Sequence, residues 1–341
     1  MKQLAFLATA AFIGVCATQV SAQTPFTANF DTDQSANFSV ANIGLPAEST
    51  AVFSYDHSTH VQQSGAAITI PPAPNTVGGT TRALRLNCNL GSETTASGDS
   101  IVVYPNYTAA DAEYVMTFDL WCNYNGGGAA GLSNGSGSTN QFTYGATTSN
   151  TLGMNVVAAA TGTGYLFSIS VEGGASQDYR FFNGTGSITR QDNIAAPNTP
   201  VIWWGTNTPD TTPSDPPVSN FFDSWQNFFP DADTATLSTI AGTAEVEGTP
   251  GKRWITVRIT VDNGIATIGF KRVGDTDFTQ VGQTAVAAGT RPFVGFSDIN
   301  AGAPSPLSLV SDQFVLIDNL TVEPLPTPPP VSAAENWAVY Q

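Results

Sequence analysis

Short runs of β-branched, aromatic and aliphatic residues alternate with clusters of Gly, Pro, Asn and Ser along most of the chain. Apolar residues at every second position, bounded by turn-forming residues, are typical of short antiparallel strands. Helical periodicity is nearly absent. The pattern predicts an all-β fold, a two-sheet antiparallel β-sandwich of the jelly-roll type. Strands are expected near residues 52–55, 66–70, 82–88, 101–104, 114–124, 164–171, 254–261, 265–272, 292–297 and 314–322.

The best-defined strand pair flanks Asn263-Gly264, a dipeptide that suits a two-residue type I′ turn because both residues tolerate positive φ. Such a turn sets Asp262 opposite Ile265. Ile259 then faces Ile268, and the apolar residues of both strands fall on the same side. One face of this hairpin is therefore expected to be core and the other polar.

One segment departs from the strand pattern, near residues 198–235, where Pro, Thr and Asp surround many aromatic side chains. Part of it has aromatic residues at i, i+1, i+4, i+7 and i+8, which is helical spacing. These residues are Phe221, Phe222, Trp225, Phe228 and Phe229. One short helix is predicted, with Ser219 as N-cap and its end at Pro230. The segment either plugs an end or face of the sandwich, or exposes an aromatic surface to a sugar or a partner.

The chain divides into three parts. Residues 1–22 are typical of a secretory signal peptide, with Lys2 before an apolar stretch and Val20-Ser21-Ala22 as the cleavage site. Residues 23–323 are expected to form one sandwich domain that carries the insertion, and residues 324–341 a Pro-rich tail. The protein is therefore expected to be secreted, in the extracellular space or at the cell surface, or in the periplasm. No transmembrane segment is expected after cleavage, because no later stretch approaches about 20 apolar residues.

Charged residues are scarce, and acidic residues far outnumber basic ones. They make up 11% of the chain, against about 25% in an ordinary globular protein, and the net charge is −16. Such a field repels phosphate backbones, so nucleic acid is not expected as a partner.

Two cysteines follow the signal peptide, and each shares the alternation of its apolar neighbours. Cys88 and Cys122 are therefore expected to point into the core. In an oxidising compartment they form either a disulfide bond or two buried thiols, and the disulfide is the favoured interpretation.

Catalytic motifs are weak in this chain. His57 and His60 are its two histidines, and with Asp56 they would give a zinc ion three ligands but no visible fourth. Glycoside hydrolysis needs two carboxylates about 5–10 Å apart. The pair Glu245 and Glu247 has suitable spacing on a strand, but it precedes a Gly- and Pro-rich loop without an aromatic platform. The sequence therefore favours a non-catalytic function.

Calcium is the metal whose oxygen ligands the chain could supply best. Asp31 and Asp33 lie close together near the mature N-terminus, and Asp318 lies in the last predicted strand. Asp318 shares the alternation of its apolar neighbours, so it is expected to point inward and to need a partner. One hypothesis is a structural calcium ion that joins the first and last strands; the alternative is hydrogen bonding to nearby backbone N–H groups.

Three segments resemble the concanavalin A-like lectin/glucanase jelly rolls, a superfamily that includes laminin-G-like modules, in a secreted bacterial form. They are Tyr114–Trp121 (YVMTFDLW), Trp254–Ile268 (WITVRITVDNGIATI) and Phe314–Val322 (FVLIDNLTV), together with Phe30-Asp31. The resemblance implies two antiparallel sheets, carbohydrate or surface recognition, and structural calcium in some members. It does not imply catalysis, because the E-x-D-x-x-E strand of the family's glucanases has no counterpart here.

The combined expectation is an exported, non-catalytic sandwich that binds carbohydrate or a cell-surface component. Stacking on aromatic side chains would be the main contact. The proposed ligand-binding residues are Trp203, Trp204 and Trp225 of the insertion and the expected exposed residues Trp121 and Trp254. Two alternatives remain: a structural or assembly protein of the cell envelope or matrix, and a polysaccharide hydrolase or lyase.

Overall fold

The computed structural model describes fifteen stretches of the chain, and within them seventeen β-strands. The described residues are 23–43, 48–61, 69–88, 90, 99–109, 112–123, 140–149, 153–155, 159–170, 179–185, 187–190, 228–229, 250–286, 288–298 and 312–326. The strands are β1 (Phe26–Ala28), β2 (Phe38–Ile43), β3 (Thr50–Asp56), β4 (Arg82–Asn87), β5 (Asp99–Pro105), β6 (Tyr114–Asn123), β7 (Asn140–Thr147), β8 (Gly153–Asn155), β9 (Ala159–Thr161), β10 (Gly164–Ser170), β11 (Tyr179–Gly184), β12 (Ser187–Arg190), β13 (Trp254–Asp262), β14 (Ile265–Arg272), β15 (Thr279–Ala285), β16 (Arg291–Asp298) and β17 (Phe314–Glu323). The predicted signal peptide and nearly all of the insertion and tail lie outside the described residues.

The strands form two sheets, and every strand pair is antiparallel. Sheet A has the order β15-β14-β13-β6-β17-β4-β3, with β1 paired to β17. Sheet B has the order β2-β5-β16-β7-β10-β11-β12-β9-β8. The all-β, two-sheet sandwich predicted from the sequence is confirmed.

Apolar residues from the inner faces of both sheets meet in one core. Phe118 of sheet A lies 5.7 Å, between ring centroids, from both Phe142 and Tyr144 of sheet B. The hydroxyl groups of Tyr114 and Tyr165 form a hydrogen bond between the sheets. Each such aromatic pair contributes about 0.5–1.5 kcal/mol beyond the burial of apolar area, so these contacts fix how the sheets stack.

The hairpin of β13 and β14 has the predicted register. Asp262 pairs with Ile265 and Ile259 with Ile268, and both isoleucines are buried in the core. Asn263 and Gly264 have φ values of 49° and 72°, as a type I′ turn requires.

The prediction of a disulfide bond between Cys88 and Cys122 is wrong, although both cysteines face the core as predicted. Cys88 and Cys122 are separate thiols. Strand β17 lies between their strands, because Val315 pairs with Leu86 on one side and with Cys122 on the other. Two strand spacings amount to about 10 Å, beyond the about 7 Å between Cα atoms that a disulfide bond can span.

The described part of the aromatic insertion, Phe228 and Phe229, is buried. Phe229 is fully enclosed and packs 6.3 Å from Phe270 of β14, and Arg272 donates a hydrogen bond of 3.0 Å to the carbonyl of Phe228. These two phenylalanines close part of the core, as a plug would. Trp203, Trp204 and Trp225 lie outside the described residues.

Candidate functional site

A loop covers part of the outer face of sheet A, the face directed away from sheet B. This covering loop, residues 69–81, precedes β4. Its first half contains three prolines, Pro71, Pro72 and Pro74, and its second half consists mainly of Gly and Thr residues. Ile70 and Ala73 pack there against a small apolar cluster that includes Leu316. The indole N–H of Trp254 donates a hydrogen bond of 2.8 Å to the carbonyl of Pro71. These contacts fix the N-terminal end of the loop to sheet A.

Trp121 and Trp254 were expected to be exposed, and this expectation is wrong. Their exposed fractions are 5% and 4%, and their rings lie 5.8 Å apart on the outer face of sheet A. The alternation of the strands places them on this face as predicted, but Ile70 and Ala73 of the covering loop pack over them. Neither ring offers a surface on which a sugar could stack.

Asp318 lies on the outer face, not on the inner face that its apolar neighbours suggested. A bulge shifts the register of β17 between Asp318 and Thr321, and Asn319 within it has a φ of 52°. The bulge reverses the alternation. Leu316 before it therefore belongs to the outer cluster, whereas Leu320 after it belongs to the core.

Asp119 is the Cα partner of Asp318 on the neighbouring strand β6, and both side chains are fully buried. Four donors satisfy the Asp119 carboxylate. Oδ1 accepts from Asn75 Nδ2 at 2.6 Å and from Thr256 Oγ1 at 2.7 Å, and Oδ2 accepts from the Asn75 backbone N–H at 3.2 Å and from Asn319 Nδ2 at 2.9 Å. These bonds join the covering loop, β6, β13 and β17 at one point.

The carboxylate of Asp318 has fewer donors. Thr76 Oγ1 donates to Oδ2 at 2.6 Å, and the backbone N–H of Asn319 donates to Oδ1 at 2.8 Å. Burial raises the pKa of Asp318 to about 6; the charges of Asp119 and Asp31 act in the same direction, while the two hydrogen bonds oppose them. Asp318 therefore takes up a proton at a higher pH than an ordinary aspartate does.

The three aspartates proposed as calcium ligands have separate hydrogen-bond partners, and their binding of calcium stays a prediction. Asp31 accepts hydrogen bonds from the Thr80 hydroxyl and, at 2.7 Å, from Asn29 Nδ2. Asp33 is exposed, and its bonds from Ser35 lower its pKa. Within the part of the chain that the structure describes, no three His, Cys, Asp or Glu side chains are grouped so that they could hold a metal ion. The first and last strands are neighbours, as predicted, because β1 pairs directly with β17.

A cleft of about 500 Å³ opens beside the Asp119 carboxylate, between the N-terminal segment and the covering loop. Its polar lining consists of hydroxyl and amide side chains with one carboxylate: Thr27, Asn29, Gln34, Asn75, Thr117, Asp119, Thr256, Asn319 and Thr321. Sequence reasoning missed this set. The alternation in YVMTFDLW could have marked Asp119 as an outward polar residue, but no local signal connects it with Asn75 or Asn319.

A second polar cluster is enclosed further along the same face. His60 Nε2 lies 3.4 Å from Asp312 Oδ1, and its Nδ1 lies 3.2 Å from the Tyr55 hydroxyl. Burial lowers the pKa of Lys252 to about 7, and the charge of Asp312 opposes this shift. The other histidine, His57, is fully buried and bonded through Nδ1–H to the carbonyl of Ile70 at 3.2 Å. The histidines are thus held inside the fold by separate partners, and they do not converge on a common site.

No protein-family model matches the sequence, and no curated protein matches it. Among solved structures, the Ca²⁺-bound exoplasmic/lumenal domain of VIP36 is similar over 82% of this chain and 92% of its own, at 10% identity and a TM-score of 0.36. A native glycosidic hydrolase is similar over 90% of this chain and 98% of its own, at 9% identity and a TM-score of 0.37. Similarities this weak assign neither a family nor a function. Among the described residues, no helix is long and apolar enough to cross a membrane.

Proposed function

We propose that the protein is a non-catalytic binding protein that holds a neutral glycan in the cleft on the outer face of sheet A. The observation that carries the proposal is the lining of the cleft, in which hydroxyl and amide groups predominate. Such groups both donate and accept hydrogen bonds, as sugar hydroxyls do. A volume of about 500 Å³ is within the usual range of small-ligand pockets.

Two amide side chains of the cleft are held in a fixed orientation. Asn75 Nδ2 donates to Asp119 and Thr256, and Asn319 Nδ2 donates to Asp119 and Thr76. Each Oδ1 is thereby left as the acceptor for a ligand hydroxyl. Because these orientations exist before a ligand binds, the entropic cost of ordering the side chains on binding is small.

The carboxylate content of the cleft favours binding over hydrolysis. Among the described residues that line the cleft, Asp119 alone carries a carboxylate, and four hydrogen bonds satisfy it. Glycoside hydrolysis normally uses two carboxylates on either side of the scissile bond. The net charge of −16 also disfavours acidic polysaccharides, which leaves neutral glycans as the ligand class.

The aromatic residues of the insertion remain part of the proposal as a separate contact. Trp203, Trp204 and Trp225 would stack on a sugar ring if they border the cleft or another exposed surface. Their contribution is separable from that of the cleft by mutation.

Glycan-array binding of the wild-type protein and of two matched variants tests the proposal. Thr117→Trp fills the cleft, whereas Thr260→Trp adds the same side chain on the same face of sheet A, away from the cleft lining. Binding to neutral glycans should fall at least tenfold in Thr117→Trp and remain in Thr260→Trp. Equal binding by both variants would contradict the cleft as the site. Loss of binding in Trp204→Ala and Trp225→Ala alone would move the site to the insertion.

A further inference from the structure

A row of paired residues leads from the cleft across sheet A to the edge strand β15. Thr117, which lines the cleft, is the Cα partner of Arg258 on β13, and Arg258 is the Cα partner of Gly269 on β14. Gly269 pairs in turn with Gln280 of β15. Arg258 lies two positions from Thr256, which also lines the cleft, so both side chains are on the outer face. Because neighbouring strands are about 4.8 Å apart, Arg258 lies one strand spacing beyond Thr117.

An aromatic ring holds the Arg258 side chain in place. The Arg258 guanidinium lies 4.0 Å from the centroid of the Phe278 ring, and Lys271 Nζ lies 5.3 Å from the same centroid. Phe278 packs closely on the sheet at Gly269, where a Cβ atom would be 3.2 Å from the Cβ of Phe278. A cation over an aromatic ring is attracted by the ring quadrupole. The planar guanidinium is therefore oriented before a ligand binds.

The N–H groups of Arg258 are available to a ligand. The residue is exposed, and in the part of the chain that the structure describes its guanidinium has neither a hydrogen bond nor an ion pair. By contrast, Arg272 of β14 is bonded to Asp275 and to the carbonyl of Phe228. An arginine offers five N–H donors in a fixed plane. Arg258 thus places a set of unused donors beside the cleft.

These donors complement the acceptors of the cleft. The side-chain N–H groups of Asn75 and Asn319 are bonded to Asp119 and to threonine hydroxyl groups, which leaves both Oδ1 atoms as acceptors. Gln34 Oε1, also in the lining, is buried and has no hydrogen-bond partner among the described residues. A glycan has hydroxyl groups that donate, and ring and glycosidic oxygens that only accept. The cleft suits the hydroxyl groups, and Arg258 suits the oxygens that only accept.

We propose, on the basis of the function proposed above, that the binding site continues beyond the cleft into a second subsite at Arg258, and that its ligand is a glycan of at least two sugar units. One unit lies in the cleft. The next unit lies across β13, where the Arg258 guanidinium donates to its oxygens and Phe278 acts as a positioning residue. A single sugar makes only the contacts of the cleft, so the site selects its ligands by chain length.

The dependence of affinity on glycan length tests this proposal. Calorimetric titrations use malto-, cello- and galacto-oligosaccharides of one to five units, and length series of the neutral glycans that bind on the array. The affinity of the wild-type protein should rise by about tenfold or more from one unit to two, the effect of one hydrogen bond to a charged group. Arg258→Met should lose this gain and keep the affinity for the single sugar. Because Arg258 is exposed, the variant should fold like the wild type.

Three further variants separate position from charge. Arg258→Lys keeps the charge but loses the planar array of donors, and Phe278→Leu keeps the arginine but removes the ring beneath it. Both should weaken binding of the longer glycans and leave the affinity for the single sugar unchanged, which a general loss of structure would not do. Arg82→Met changes an exposed arginine outside the cleft lining, and it should bind every glycan as the wild type does.

The outcomes distinguish the second subsite from the cleft. Equal affinity for one unit and for longer glycans, or a length dependence that Arg258→Met retains, would overturn the second subsite. Loss of binding in Thr117→Trp would still support the cleft in that case. Binding of acidic glycans alone, weakened by salt and retained in Arg258→Lys, would overturn both proposals, because Arg258 would then pair with an anionic group. Absence of glycan binding by the wild-type protein would also overturn both.

Discussion

Asp119 on β6 and Asp318 on β17 are Cα partners, and both carboxylates are fully buried. The Asp119 carboxylate nevertheless accepts four hydrogen bonds, whereas the Asp318 carboxylate accepts two. Two buried like charges at neighbouring positions are unfavourable, and the donors of the covering loop offset part of this cost. The arrangement makes the two aspartates unequal in their response to mutation.

Asp119→Asn should destabilise the fold much more than Asp318→Asn. An asparagine at 119 turns one acceptor oxygen into an NH₂ group that faces donors, which leaves buried polar groups unsatisfied at about 1–3 kcal/mol each. At 318 the neutral amide removes the repulsion between the carboxylates. Urea unfolding at pH 7 should give a loss of about 2–4 kcal/mol for Asp119→Asn and less than about 1 kcal/mol for Asp318→Asn. Equal losses would show that the pair does not act as described.

The stability of the fold should depend on Asp318 between pH 4 and pH 6.5. Its folded-state pKa of about 6 exceeds the unfolded value of 3.8, so the folded state binds the proton more tightly. Its stabilising contribution is complete below about pH 4 and is lost as the pH rises through 6. The difference in Tm between wild type and Asp318→Asn should therefore move in favour of Asp318→Asn over this range. A difference that is constant with pH would contradict this assignment.

Lys252 should produce the opposite slope at higher pH. Its folded-state pKa is about 7, well below the ordinary 10.5, because the side chain is buried. The unfolded state therefore binds the proton more tightly, and stability should rise from about pH 7 toward pH 10. Lys252→Met should remove this rise in Tm. Lys271→Met, at a partly exposed lysine of β14, serves as the control and should keep it.

The two core cysteines should behave as inaccessible thiols. Burial raises the pKa of Cys122, and Cys88 is 1% exposed, so a thiol reagent should react with neither in the folded protein. Both should react after denaturation, and a reducing agent should leave the Tm unchanged. A Tm that falls on reduction would indicate a disulfide bond and contradict the strand order around β17.

Much of the fold could be predicted because alternation and turn chemistry are local properties. The register of β13 and β14 follows from Asn263-Gly264 alone. The inward direction of Cys88 and Cys122 follows from their neighbours, but their separation does not, because only the sheet order places β17 between them.

The candidate site could not be predicted, and two physical reasons explain this. The bulge at Asn319 reverses the alternation of β17. Asp318 therefore lies on the face of the sheet opposite to the one that the sequence pattern predicted. The covering loop then buried Trp121 and Trp254, and no pattern within a strand reports what a distant loop covers. Strands such as β7 were missed because Gly and Thr weaken their apolar alternation.

The crystal structure of the protein with a neutral glycan selected on the array tests the central claim most directly. The proposal predicts a sugar ring in the cleft on the outer face of sheet A, with its hydroxyl groups within 3.5 Å of Oδ1 of Asn75 and Asn319. A glycan bound elsewhere, with the cleft unchanged, would contradict it.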